Sequence, residues 1–230
     1  MRPLQTLLAA ALVTATAAAG AATVDVQFSR DAGHTQTGAA IVGSAGDLWN
    51  NFLGNQASGV ALFDTTGAAS GVSLSFSSYG VYESDPGYTQ FTGTPYANLM
   101  QGYLYSFTDT IGIDLKFSGL VAGQEYGFVV YTQGDDNAGN RSIGLSANGG
   151  SQHVATQTDA STFVPGNNYT YIVTTADANG VVDIFGQDLR GEANLNGVQM
   201  MAVPEPSAMV LLMAGFMFLA GAVVRKTRVR

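Results

Sequence analysis

Short runs of alternating apolar and polar residues recur through the middle of the chain, each closed by turn-forming residues. Val24-Asp25-Val26-Gln27-Phe28 has period two and predicts a strand. Val72, Leu74 and Phe76 share one face of another. Residues 111–117 put Ile111, Ile113, Leu115 and Phe117 on one side and Gly or polar residues on the other. Residues 126–131 are continuously apolar, the pattern of a central strand covered on both faces. Residues 142–147, 169–175, 181–185 and 195–201 complete the strand set. Asp177-Ala178-Asn179-Gly180 reads as a tight hairpin between two of these, since Asn and Gly tolerate positive φ. Two segments break the pattern. Residues 47–52 and 95–100 have apolar spacings of three and four and predict one or two helical turns each. Many short strands with almost no helical periodicity predict an all-β fold, an antiparallel β-sandwich of jelly-roll type, over residues 23–202.

The two ends differ from this middle. Arg2 followed by an apolar, small-residue stretch and Ala19-Gly20-Ala21-Ala22 predicts a signal peptide over 1–22, cut by signal peptidase. Residues 207–224 form an uncharged apolar run of about 27 Å if helical, enough to cross a bilayer core. Arg225, Lys226, Arg228 and Arg230 follow at once, and positive charge stays on the cytoplasmic side. The expected topology is an inner-membrane intermediate with its C-terminus in the cytoplasm and everything before Pro204 outside. The segment 203–230 is therefore a separate sorting region: a membrane helix over 207–224 and a basic tail over 225–230.

The order Val203-Pro204-Glu205-Pro206, spanning segment, basic end resembles the PEP-CTERM sorting signal of Gram-negative bacteria. The resemblance implies recognition by an exosortase, a membrane-embedded cysteine transpeptidase that cuts near the Pro-Glu-Pro. It also implies delivery to the cell surface or to an extracellular, exopolysaccharide-rich biofilm matrix. Residues 43–50 and 194–199 look like segments that recur in exported proteins of this kind, with no activity attached. Residues 118–126 resemble the inter-sheet corner of fibronectin type III domains, which implies that the Tyr126 hydroxyl bonds back to nearby backbone.

Composition narrows the chemistry. Between residues 23 and 203 there are sixteen acidic side chains against four basic ones, Arg30, Lys116, Arg141 and Arg190. Nucleic acid is excluded as a partner, because binding phosphates needs a basic footprint. There is no cysteine, so disulfides, thiol nucleophiles and thiolate metal sites are excluded too. No Gly-x-Ser-x-Gly elbow is present, and the two histidines, His34 and His153, lie in polar surroundings with no triad spacing. Paired carboxylates for glycoside cleavage reduce to Asp135 with Asp136 and Asp114 with Glu125. The first pair is adjacent, and adjacent residues of an extended strand point apart. The reading is thus of a protein that is not an enzyme.

Two binding chemistries remain. Asp135, Asp136 and Asn137 cluster hard oxygen donors beside a Gly, the arrangement calcium prefers, although the EF-hand spacing fails. Asp25, Asp47 and Glu192 are further calcium donors if the first and last strands pair. Tyr79, Tyr82 and Tyr88, in a loop-like acidic stretch, are the candidate glycan contacts, because sugar rings stack their C–H faces on aromatic rings. Trp49 and most other tyrosines are assigned to the core. The sequence therefore describes a non-catalytic surface or matrix protein, with a carbohydrate-binding module as the alternative and a glycan-acting enzyme third.

Overall fold

The computed structural model describes residues 23–84, 89–107, 112–135, 141–158 and 160–204. The proposed signal peptide, Glu205, Pro206 and the 207–230 segment lie outside them.

Two sheets pack face to face. The first runs β11 (Tyr169–Thr175), β8 (Glu125–Tyr131), β14 (Gly197–Ala202), β1 (Val24–Phe28), β2 (Asn50–Phe52). The second runs β10 (His153–Thr156), β9 (Ser142–Ala147), β12 (Val181–Arg190), β7 (Ile113–Ser118), β4 (Ala69–Ser77), β3 (Gln56–Phe63). A small third sheet holds β13 (Ala193–Leu195), β6 (Gly102–Ser106) and β5 (Gly80–Glu83). Every pairing of the named strands is antiparallel except β1 with β2. This is the antiparallel β-sandwich that the alternation predicts.

The core follows from that alternation. Val24, Val26 and Phe28 meet Leu74, Phe76, Ile113, Leu115 and Phe117 across the interface, all buried. Phe28 meets Phe76 at 4.9 Å between ring centres, and Phe117 meets Phe128 at 5.4 Å. Burying each such side chain is worth about 1.5–3 kcal/mol, which a domain without disulfides needs.

The outer face of the first sheet is covered as well. A second cluster of Trp49, Phe91, Leu99, Met100, Val129 and Tyr131 packs on it. Trp49 Nε1 donates to the Gly38 carbonyl at 2.9 Å, so the indole is a core residue as expected. Strand β8 is thereby buried on both sides from Tyr126 to Tyr131. Helix α1 (Ala97–Gln101) supplies part of this cover, matching the turn predicted at 95–100.

Three local expectations are corrected. Residues 47–52 form no helical turn; Asn50–Phe52 is β2. Its register against β1 satisfies the backbone, and Asn50 Nδ2 donates to the Asp25 and Phe63 carbonyls. The Asp177–Gly180 segment is a tight turn, with Gly180 N donating to Asp177 O at 3.0 Å, but not a hairpin. Its two strands enter different sheets: β11 bonds to β8, and β12 to β7 and β9. The stretch after Tyr79 is not all loop, because Gly80–Glu83 is strand β5, paired with β6.

The strand order decides where the chain ends lie. Val24 faces Met200 in an antiparallel pair, so Thr23 and Val203 emerge together at one end of the sandwich. At the other end Phe28 N donates to Asn196 O at 3.0 Å, and β13 and β6 begin the small sheet. Gly102 of β6 approaches so closely there that a Cβ would come within 2.5 Å of the Phe28 carbonyl oxygen.

Two side chains give direct tests of this packing. Tyr126 Oη accepts from Val121 N at 3.0 Å, closing the corner before β8. Tyr126→Phe should cost about 1 kcal/mol of stability in urea titration. Asp25 is fully buried; its Oδ2 accepts from Gln199 Nε2 at 3.0 Å, and its Oδ1 has no hydrogen-bond partner among the described residues. Burial, reinforced by Asp47 and opposed by Gln199, lifts its pKa from 3.8 to about 7. The folded protein therefore keeps a proton that the unfolded chain has lost between those two pH values. Stability should fall as pH rises through that window, by on the order of 4 kcal/mol, and level off above it. Asp25→Asn should flatten the dependence and raise the urea midpoint at pH 8.

Candidate functional site

The small sheet at the end opposite the chain termini carries most of the exposed aromatic surface. On β6 and just after it, Tyr103, Tyr105 and Phe107 alternate with Leu104 and Ser106 and share one face. Phe107 is 48% exposed. Tyr79 is 54% exposed and stands 5.7 Å from the Tyr105 ring and 5.5 Å from Phe107. Tyr105 and Phe107 are 5.3 Å apart, so the three rings touch pairwise. Gly80 makes the arrangement possible. A Cβ there would lie 2.4 Å from the Tyr105 ring, so only glycine lets that ring settle across β5. Tyr82, on the next outward position of β5, leans on Tyr103 at 5.4 Å.

A charged cluster adjoins the rings. Tyr82, Tyr103, Tyr105 and Phe107 with Asp135, Arg141 and Glu192 line a cleft of about 250 Å³. Arg141 Nη1 lies 2.8 Å from Asp135 Oδ1 and 3.4 Å from Glu192 Oε1. Glu192 Oε1 also accepts from Asn194 Nδ2 at 2.5 Å. Burial raises the Glu192 pKa, against the pull of Asn194 and Arg141. Burial works to lower the Arg141 pKa, but Glu192, Tyr103 and Asp135 outweigh it and the net shift is upward. Arg141 is thus firmly cationic and bridges two carboxylates. Tyr103, 2% exposed, has its hydroxyl pKa raised by burial and by the same two acids.

The positions read from sequence separate into different places. Tyr79 and Tyr82 stand in the aromatic group; Tyr88 lies outside the described residues. Asp135 and Glu192 meet at Arg141, whereas Asp136 and Asn137 lie outside the described residues. Asp25 and Asp47 sit near each other at the covered outer face of the first sheet, close enough for Asp47 to raise the Asp25 pKa. Glu192 does not join them: the first and last strands pair as anticipated, but Glu192 precedes β13 at the opposite end. Among the described residues no three His, Asp, Glu or Cys side chains are placed to hold a metal ion. Asp114, on β7, and Glu125, opening β8, belong to different sheets. Asp114 pairs instead with Asp183, whose pKa is lifted to about 6 by burial and by that neighbour. His34 is tied to Glu83, while His153 begins β10.

Phe107 and Arg141 were not among the candidates drawn from the sequence. Phe107 had a readable signal, the period-two run Tyr103-Leu104-Tyr105-Ser106-Phe107. Arg141 had none, since its partners lie 6 and 51 positions away in the chain.

Several solved structures superpose on parts of this chain at low identity. The plant receptor-like kinase ANX2 superposes with a TM-score of 0.49 at 9% identity, over 80% of this chain and 48% of its own. This chain therefore spans about half the length of that structure. A family 35 carbohydrate-binding module from Clostridium thermocellum gives 0.35 at 15% identity, over 56% of this chain and 92% of its own. The Podospora anserina GH26-CBM35 β-(1,4)-mannanase gives 0.34 at 15%, over 55% and 28%. No curated protein matches the chain. Among the described residues no helix is long and apolar enough to cross a membrane. The family model for the PEP-CTERM protein-sorting motif matches residues 202–226. The chain thus carries the sorting signal of an exosortase substrate bound for the cell envelope or surface.

Proposed function

We propose that this chain is an exported, non-catalytic component of the cell surface or extracellular matrix of a Gram-negative bacterium, and that its aromatic cleft holds polysaccharide. The observation that carries the reading is the touching group of Tyr79, Tyr105 and Phe107, the first and last of them exposed, beside the Asp135–Arg141–Glu192 cluster. Rings of this kind offer faces for pyranose C–H groups, and the polar cluster offers donors and acceptors for hydroxyls.

Three features support the rest of the reading. Asp135 and Glu192 share one guanidinium, so neither stands free as the acid–base pair across a cleft that glycoside cleavage requires. The lining holds two acids and one base, which favours neutral glycans over uronates or sulfated chains. The cleft opens at the end of the sandwich away from Val203, so a chain held by its C-terminal segment presents the cleft outward. Export would begin with cleavage of the 1–22 signal peptide. It would pass through an inner-membrane intermediate with the 207–224 helix spanning and the basic tail inside.

On a glycan array the secreted protein should retain neutral polysaccharides and pass over uronate polymers. Tyr79→Ala with Phe107→Ala should weaken that retention roughly tenfold, at about 0.5–1.5 kcal/mol per lost stacking ring, with no change in thermal midpoint beyond a degree or two. Gly80→Ala should weaken it by displacing Tyr105. Binding that is indifferent to all three changes places the ligand elsewhere and defeats the assignment of this cleft. Processing is read separately by mass spectrometry, where the mature C-terminus should fall near residues 203–206. A secreted form that still contains Phe216 defeats the sorting account.

A further inference from the structure

The sorting motif and the fold overlap. The motif match begins at Ala202, and Ala202 is the last residue of β14, paired with Tyr126 of β8. Val203 N still donates to Glu125 O at 2.9 Å. Two residues of the motif are therefore backbone-bonded into the first sheet, and Pro204 follows with no intervening linker. Beyond Met200 the hold is one-sided, because β1 pairing stops at Val24 while β8 pairing continues. Met201 and Ala202 are partly buried against the two hydrophobic clusters and add side-chain grip to the same end. From Val203 to Ser207, where the uncharged apolar run starts, the chain extends at most about 13 Å.

A peptide-cleaving enzyme must seat its substrate in an extended, accessible form on both sides of the cut bond. Residues locked in a strand are not accessible until the strand opens, and cleavage then follows the population of the open form. We infer that exosortase processing of this chain is gated by its own fold: the C-terminal end of β14, residues 201–203, must peel from β8 before Pro204–Pro206 can enter the membrane-embedded active site. The gate costs little, since it involves a few backbone bonds at a one-sided strand end. It leaves the β1–β14 pair intact and retards processing without preventing it. It also ties processing to folding: an unfolded ectodomain exposes the motif freely, and a folded one meters it. This inference rests on the sorting reading and is independent of the glycan reading.

The test is pulse-chase labelling of the full chain in a host that carries an exosortase, following conversion of precursor to mature form. A six-residue Gly-Ser insert between Val203 and Pro204 gives the motif slack and should speed conversion roughly five- to tenfold, the factor for about one net hydrogen bond. The same insert in the exposed turn at residues 148–150 should leave the rate unchanged. Met201→Gly weakens the strand end without altering residues 202–226 or the distance to the membrane, and should also speed conversion. Unchanged rates for both the C-terminal insert and Met201→Gly overturn the inference. Acceleration by the insert alone overturns it as well, since the limit is then clearance from the membrane and not peeling. A precursor that persists in every variant, including the unaltered chain, defeats the sorting reading itself.

Discussion

The pairing of β1 with β14 is the constraint on which the rest of this domain depends. The first and last strands of the described sandwich lie side by side in the middle of a sheet, with β2 and β8 on their outer sides. Nothing covalent closes the domain, since the chain has no cysteine. Closure rests on backbone bonds between Val24–Gln27 and Gly197–Met200, and on burial of Val24, Val26, Val198 and Met200 beneath them. Until β14 is present, β8 and β1 each expose an unpaired edge in the centre of what will be the first sheet. Such long-range closure is slow, because the loop entropy is lost before the contact is gained. For an exported chain that delay is useful, because a domain that cannot complete its sheet early stays threadable.

The same pair makes the molecule polar in the geometric sense. Both chain ends leave at one end, and the small β5–β6–β13 sheet with its rings lies at the other. The termini end is set by backbone register. The far end is set by close approach, since Gly102 and Gly80 admit neighbours that any side chain would displace. Between them the outer face of the first sheet is sealed by Trp49, Phe91, Leu99 and Phe163. That seal traps a polar layer in which Asp25, Gln199 and Tyr131 bond to one another in series. Enclosure of this kind disfavours the ionised form, which is why burial dominates the titration of Asp25.

How much of this was legible in the sequence depended on how one-sided each strand's burial is. β1, β9 and β11 appear at the residues their patterns indicate, and β7 and β8 nearly so, because their apolar positions face a core. β3 escaped notice. It is an edge strand, mostly exposed, whose register against β4 shifts twice, so no alternation survives. β2 was mistaken for a helical turn because Leu48, Trp49 and Phe52 mimic helical spacing, while the parallel partner that extends it lies twenty-odd residues upstream. The Asp177–Gly180 turn was right in chemistry and wrong in topology. Local φ preferences fix a turn, but the choice of neighbouring strand is made by β8 and β7, remote in sequence. The site shows the same division. Tyr79 and Tyr82 were visible as aromatics in an acidic stretch, whereas Arg141 becomes part of the cleft only through its tertiary neighbours.

The charge pattern of the cleft follows from the rest of the domain. With sixteen acids and four bases between residues 23 and 203, a buried carboxylate has few cations to choose from. Arg141 serves both Asp135 and Glu192. Asp183, only partly buried, has Lys116 at 3.9 Å and leans on Asp114. A guanidinium suits the shared position because it keeps its charge while partly buried and presents several donors in a plane. A lysine there would satisfy one carboxylate at a time and would lose charge more readily on burial. With two carboxylates on one guanidinium, the polar edge of the cleft carries the same acidic excess as the rest of the domain.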